Sequence, residues 1–535
     1  MMKLKWEKLL NETRIRNLNP TTINQNQKKS YNIFEDHRNE FERDYDRINN
    51  SSAVRRLQDK AQVYPLQSND FIRTRLTHSM EVSSIARSLG IFLERYLSEK
   101  KIPGFNEKHI GKIPSILASA ALVHDIGNPP FGHYGEDVIK EWFDNKENLY
   151  KLNEWVSLCW ENDKALPREE LWKNSLIEFQ SICRDFKSFD GNAQGLRVVN
   201  KLQYFKDDFG LNLTAGTLST LLKYPFESNH HFAETKQKFG YFYSDKKLME
   251  EIKKHTLGSA SSNFRNPLTY LLEAADDIAY IGSDVEDGVK KGSILWNEEF
   301  ILFYENVIKD GFIKVHNEDE KIELKLNEIE IAALKKIKSD HQKFKQDNHP
   351  DPMVASARSF KVWSQGILIS EVKKVFDENY EQIMNGEFGD FSEIKPRIKS
   401  DKDEPEFNHK ELIDHSAKAS ALRKWMKGLL IKYCFVDNEV VTLELVGDRV
   451  INDLLDIFLV DCMFKITDKA SFKNKKVKKL YSLISSNIKF TNIGNNEIYL
   501  AHPYKRVQMV IDFVSGMTDS YALDLHQKLT GVKMP

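Results

Sequence analysis

The chain has 535 residues, 41% of them hydrophobic, enough for a large core in more than one domain or in one composite body. Its 78 basic and 79 acidic residues leave a formal net charge of -1, so no global field draws it to nucleic acid or an anionic membrane. Four scattered cysteines without a CxxC pair argue against a cysteine metal site; with no signal peptide and no bilayer-length apolar run, a cytoplasmic location and no membrane partner are expected.

Gly and Pro are sparse and helical spacing dominates, so an all-α fold with a few short strands is predicted. The expected organisation is a helical segment over 1–50, a core over 51–405 with helical insertions, and a C-terminal helical region over 406–535. The first clear helix is Thr77–Leu97. His78 stands at its start behind Arg73 and Arg75, a combination that suits a metal ligand beside an anionic group such as phosphate. Pro114–His124 is apolar nearly all round and reads as a buried helix. Gly127 is predicted to cap it in the left-handed conformation, with Pro129 forbidding continuation. His124 and Asp125 then fall on the last turn, and the Gly-Pro loop after them is expected to turn the chain so that His133 and Glu136 can face them.

Asp144–Asn153, Lys335–Pro352 and Lys395–Asn408 are polar and read as loops. Pro267–Val289 is a third helix. It carries Asp276, Tyr280 and Asp284 at i, i+4 and i+8, an acidic, tyrosine-bearing stripe on one face. Lys314–Leu326 is a candidate hairpin and Asp351–Tyr380 another helix. Glu439–Leu445 (EVVTLEL) is β-branched and bounded by turn residues, which predicts a strand. FKNKKVKKLY places lysines at 473, 475, 476, 478 and 479, a basic patch equally readable as a solvated loop.

A buried carboxylate needs a partner, and a divalent cation shared by His124 and Asp125 would supply one. An isolated His-Asp dipeptide reads better as a capped aspartate beside a core histidine. The segments around His78 and Asp276 tip the balance toward a metal.

With these segments in view, the chain resembles the HD-domain phosphohydrolases through His78, His124-Asp125 and Asp276. RRLQDKAQVYPL, RTRLTHSMEV, HDIGNPPFGHYGE, FDGNAQG, LLKYPF, EAADDIAY and SGMTDSYA further resemble the bacterial dGTP triphosphohydrolases, from about residue 51 to the C-terminus. The resemblance implies metal-dependent hydrolysis of dGTP to deoxyguanosine and tripolyphosphate, by attack of metal-associated water on the α-phosphorus. It implies Mn²⁺, Mg²⁺ or Fe²⁺ held by His78, His124, Asp125 and Asp276. His133 and Glu136 would work beside the scissile bond; which of them activates water stays open.

The implied substrate contacts are Gln62, Val63, Tyr280 and Asp284 around the sugar, and Arg75, Asn192, Lys223 and Tyr224 around sugar and phosphates. Phe435 would stack on the base, and Glu444 would accept from guanine N1–H and N2–H₂. The family's arginine-bearing C-terminal region is lysine-rich here, which puts the triphosphate contacts in question. A homo-oligomer, commonly a hexamer, and single-stranded DNA are the further partners implied. The competing readings are an HD phosphohydrolase of broader dNTP or other nucleotide range, and a catalytically weak nucleotide- or DNA-binding regulator.

Overall fold

The computed structural model describes residues 3–18, 37–64, 72–161, 168–203, 209–297, 312–317, 320–325, 327–393 and 407–532. Helices make up nearly all of its regular structure, and among the described residues one two-stranded hairpin is the only sheet.

Helix α1 (Arg75–Glu99) starts at a capping box in which Thr74 accepts from the Thr77 amide. His78, Val82, Ala86, Leu89, Leu93 and Leu97 recur every three or four residues and are buried as one stripe. That stripe packs on α2 (Lys112–Val123), where every residue from Ile113 to Val123 except Ser115 is buried. The crossing is close: a Cβ on Gly90 would stand 2.7 Å from Pro114 Cα. Helix α3 (Gly132–Asp144) follows α2 after a short turn, and α4 (Gly191–Arg197) packs against that turn.

Helix α5 (Pro267–Lys291) begins with Asn266 as N-cap and proline at N1 and ends at Gly292 in the left-handed conformation. From Pro267 to Val289 it is buried except at Glu273, Asp276, Asp277 and Tyr280. Those four positions form one stripe, so α5 turns a single polar strip toward a cavity and buries the rest. It packs on α1 and on α6 (Pro352–Glu378), with α7 (Ala417–Tyr433) alongside. Helix α8 (Asn438–Leu455) lies on α3, and α9 (Pro503–Ser515) and α10 (Asp519–Thr530) complete the C-terminal side. One apolar core gathers around α1, α2, α5, α6 and α7; a second around α3, α8 and α9; a third joins Ile15, Leu122, Ile126, Leu196 and Leu218. The turn after α2 lies where they meet.

Several expectations are corrected. Glu439–Leu445 is the first half of α8, not a strand. Asp437 caps it, and Val440, Gly447, Val450, Ile451 and Leu454 bury one helical face, so packing overrides the β-branched propensity. Gly127 is not left-handed; its φ is ordinary, and its lack of a side chain serves contact instead. A Cβ there would lie 2.1 Å from Gly191 O and from Gly195 N of α4. Asp144–Asn153 is mostly the start of a helix, Lys146–Glu161, which buries Leu152, Trp155 and Val156. Lys335–Pro352 is largely the end of the helix Glu328–Gln346, which buries Ile329, Ala333, Leu334 and Ile337 beneath a charged outer face. The hairpin pairs Phe312–Asn317 with Glu320–Lys325. Lys395–Asn408 lies almost wholly outside the described residues.

Candidate active site

The cavity beside the α5 strip has a volume of about 500 Å³. Its walls include Gln62, Val63, Arg75, His78, Asp125, His133, Asp276, Tyr280, Phe435 and Glu444. Ten residues singled out in the sequence, from five separate segments, therefore face one space.

At its floor His78 Nε2 stands 3.0 Å from Asp276 Oδ1, and His124 Nε2 stands 3.4 Å from the same oxygen. The two imidazole rings meet edge to face with centroids 5.4 Å apart. His124 Nδ1 lies 2.7 Å from the Ala121 carbonyl. That bond puts a proton on Nδ1, so Nε2 is the ring atom that faces the cluster. Nε2 is buried and has no hydrogen-bond partner. His78, His124 and Asp276 each offer one donor atom, all within 4.8 Å of one another. Burial disfavours charge on His124, but Asp125 and Asp276 outweigh it and hold the ring up at about 10. A site that pulls a proton onto a buried histidine this strongly is electrostatically built for a cation. The donor set, two imidazole nitrogens and carboxylate oxygens, fits a first-row divalent ion or Mg²⁺.

Asp125 stands at the edge of this cluster, with Oδ1 3.7 Å from His124 Nε2. Its other oxygen is held by Arg75 Nη1 at 2.6 Å, and Asn128 Nδ2 donates to Oδ1 at 2.8 Å. Asp277 turns the other way, to Arg423 at 2.9 Å, and burial pushes it up to about 7. The geometry thus separates the adjacent aspartates and puts Asp276 on the histidines.

The turn HDIGNPPFGHYGE is shaped by close contacts. Gly132 has φ +65°, and a Cβ on it would stand 2.6 Å from Arg75 Nη2. Only glycine lets the turn pass beneath that guanidinium. His133 then projects from the start of α3 into the cavity, with Nδ1 3.6 Å from Glu136 Oε2. Glu136 is buried, accepts from the Gly191 amide at 3.1 Å and lies 3.4 Å from Lys238 Nζ. Burial alone would raise its carboxyl, but Lys238 and His133 draw it down to about 2. The Glu136 carboxylate across that gap in turn raises His133 above the ordinary histidine range.

Six predicted residues are not on the cavity walls: His124, which reaches Asp276 from behind them, Glu136, which lies behind His133, and four others. Asn192 Nδ2 is bonded to Asp190 at 2.8 Å, and Lys223 is paired with Glu273 of α5. Tyr224 is buried against Phe232 with ring centroids 5.9 Å apart. Asp284 is buried a turn beyond Tyr280; Oδ2 has no partner, and burial, then Asp287, pushes its carboxyl well above the usual range. The basic run around Lys473–Lys479 contributes nothing to the cavity either. Sequence reasoning missed Phe131, Tyr134, Asp277, Lys427 and Val440 on the walls, and Lys238 behind Glu136. Phe131 and Tyr134 lay within a quoted motif; Lys238 and Lys427 carried no local signal.

The sequence matches the HD domain family over residues 75–155 and the phosphohydrolase-associated domain family over 465–528. It is 38% identical to a deoxyguanosinetriphosphate triphosphohydrolase-like protein of Listeria innocua, over 99% of this chain and 100% of that one. It is 32% identical to a protein of the same description from Pseudomonas aeruginosa, over 93% and 95% of the two chains. A deoxyguanosinetriphosphate triphosphohydrolase of Yersinia pestis is 29% identical over 91% and 93%.

Proposed function

The chain belongs to the deoxyguanosinetriphosphate triphosphohydrolase-like family of HD-domain phosphohydrolases, and we propose that it hydrolyses dGTP to deoxyguanosine and inorganic tripolyphosphate. The observation that carries this is one cavity with His78 and Asp276 on its floor, His124 completing their cluster from behind, and Gln62, Tyr280, Phe435 and Glu444 on its walls.

His78, His124, Asp125 and Asp276 would hold a divalent ion, with Mn²⁺, Mg²⁺ and Fe²⁺ the candidates. Such an ion polarises a phosphate oxygen and orients water for attack. Water forms a new bond to the α-phosphorus, and the bond from phosphorus to the nucleoside 5′ oxygen breaks. Water loses a proton in this step and the leaving oxygen gains one. His133, steered by Glu136, is the residue placed to carry a proton there. Arg75 keeps Asp125 ionised and oriented while its guanidinium edges the cavity.

The Gln62 side-chain oxygen is buried and unpartnered, which suits acceptance from a sugar 3′-hydroxyl beside Val63 and Tyr280. Phe435 offers a stacking face. Glu444, half-buried and with its carboxyl raised by burial, offers two acceptors to guanine donors. For the phosphates this reading takes Arg75 at the cavity edge as the cation, with Lys223, Asn192 and Tyr224 as contacts set back from the walls. The same reading takes 1–50, 51–405 and 406–535 as three units, the last completing the nucleotide pocket.

The test is a panel of the four dNTPs with Mn²⁺ or Mg²⁺, products separated by ion exchange. Deoxyguanosine and tripolyphosphate from dGTP are expected. Orthophosphate or pyrophosphate would mean another scissile bond, and no product from any dNTP would reject the reading.

A further inference from the structure

The first half of the RRLQDKAQVYPL motif, RRLQDK at 55–60, and the whole of SGMTDSYA at 515–522 supply no side chain to the cavity. The fold nevertheless brings them together directly behind it. Asp519 is the first residue of α10 and is 2% exposed. Its Oδ1 accepts from the Phe131 amide at 2.9 Å, and its Oδ2 accepts from the Ala61 amide at 2.9 Å. Lys60, 3% exposed, donates Nζ to the carbonyls of Asn128 and Ser515, the latter at 3.2 Å. The two side chains therefore tie three remote backbones together: residues 60–61, the turn 128–131 and the end of α9.

What hangs on those backbones is the cavity. Gln62 follows Ala61. His133 lies two residues beyond Phe131, and Asn128 holds Asp125. Phe131 has φ +61°, a left-handed conformation that a phenylalanine keeps only when its surroundings impose it. It is also the N-cap of α3 with no side-chain acceptor of its own, so its amide depends on an outside partner. Arg75 completes the tie, since its amide donates to Lys60 O at 3.0 Å. A buried carboxylate bonded to two amides, with Lys60 and Arg75 as its neighbouring positive charges, is a stiff joint.

We propose that Asp519, bonded to the Phe131 and Ala61 amides, is a positioning residue: it sets the register of the His133 turn against the Gln62 segment, so that α10 acts in the reaction from outside the cavity. The proposal rests on the function given above.

The experiment uses the full chain carrying Asp519→Asn. An amide in this place turns one acceptor into a donor facing an N–H, so one of the two backbone bonds must break. A displacement of about 1 Å at the reacting groups costs on the order of 100-fold in turnover, and kcat for dGTP is expected to fall by about that factor. Mn²⁺ binding by equilibrium titration should stay within about twofold, and the limb of the pH–rate profile belonging to His133 should move. Hydrogen exchange should quicken at Ala61 and through 128–133 while α9 stays protected. Turnover within threefold of wild type, or exchange that quickens evenly over α9 and α10 with an unchanged pH profile, would overturn the proposal. If Asp519→Asn does not fold, Lys60→Met decides the same question: it removes the bonds to Asn128 and Ser515 and must quicken exchange at 128–133 and lower kcat. Wild-type chain inactive on every dNTP would sink the proposed function alone, because the exchange pattern is read without turnover.

Discussion

Arg75 and Asp125 form a buried ion pair, Nη1 to Oδ2 at 2.6 Å, with the guanidinium 3% exposed and packed over Gly132. Arg75 is one turn ahead of His78 on the same helix, so a single helix start supplies a donor to the metal cluster and the cation that orients its neighbouring carboxylate. Arg75→Lys keeps the charge but loses the planar fork. Loss of such a ligand-orienting partner typically costs ten- to 100-fold in metal affinity, and about that loss is expected for Mn²⁺, followed by its paramagnetic resonance signal. His124→Ala in the same assay should bind no Mn²⁺ at this site and show no turnover. Unchanged Mn²⁺ affinity in both variants would remove this cluster from metal binding.

The His133 and Glu136 pair makes a prediction about pH. The Glu136 carboxylate beside His133 raises it, so Glu136→Gln should let the imidazole titrate lower. The limb of the pH–rate profile that reports His133 then moves to lower pH, whether the ring works as base or as acid, and kcat drops about 10²- to 10⁴-fold. For stability the sign follows from the raised value. The stabilisation from charged His133 is complete below its unfolded value near 6.5 and fades as pH climbs through the higher folded value. Glu136 behaves oppositely. Its folded value is drawn down to about 2, so its contribution is present above its ordinary value of 4.5 and is lost as pH falls from there toward 2. Urea unfolding of wild type and Glu136→Gln from pH 3 to 8 checks both windows, and superimposable profiles would dismiss the coupling.

How much of this was readable beforehand depends on whether a residue's partners lie close in sequence. α1, α2 and α5 announced themselves by buried stripes at three- and four-residue spacing, and His78, His124 and Asp276 fell on them at the right turn. Asp144–Asn153 and Lys335–Pro352 were misread because a surface helix with one apolar stripe presents mostly charge. EVVTLEL is a helix rather than a strand because it opens a longer one: Asp437 caps it, and Val450, Ile451 and Leu454 farther along pack that helix on α3, about 300 residues away in the chain. Lys238 and Asp519 were invisible for the same reason: nothing near them in sequence contains Glu136 or the Phe131 amide.

The misread segment still carried its functional residues to the cavity, which makes Glu444 a useful test. Phe435 precedes α8 and Glu444 sits two turns into it, both on the wall. Adenine presents an acceptor where guanine N1 presents a donor, so a carboxylate discriminates between them. A hydrogen bond to a charged group contributes about 1.5–3 kcal/mol, so Glu444→Gln should lower the dGTP to dATP ratio of kcat/KM at least about tenfold. An unchanged ratio would take Glu444 out of base recognition while leaving the reaction assignment intact.

The glycines around the site give a stability prediction with its own control. Gly127 follows Asp125 by two residues, and its α-carbon faces Gly191 and Gly195 of α4. An added methyl would stand 2.1 Å from Gly191 O, against main-chain atoms that cannot rotate away. Gly127→Ala must push α4 from the end of α2, and overpacking of this kind costs about 1–3 kcal/mol. Gly366 lies on the exposed side of α6 with nothing within 4 Å of its would-be Cβ, so Gly366→Ala should stabilise by up to about 1 kcal/mol through helix propensity. Equilibrium urea denaturation of the two variants separates them by sign. Because Gly191 also abuts Asn128 and Glu136, the Gly127→Ala protein that remains folded should bind Mn²⁺ more weakly than wild type, whereas Gly366→Ala should match it. A Gly127→Ala protein as stable as wild type would show that α2 and α4 do not meet glycine to glycine, and the placement of Asp125 would then need another cause.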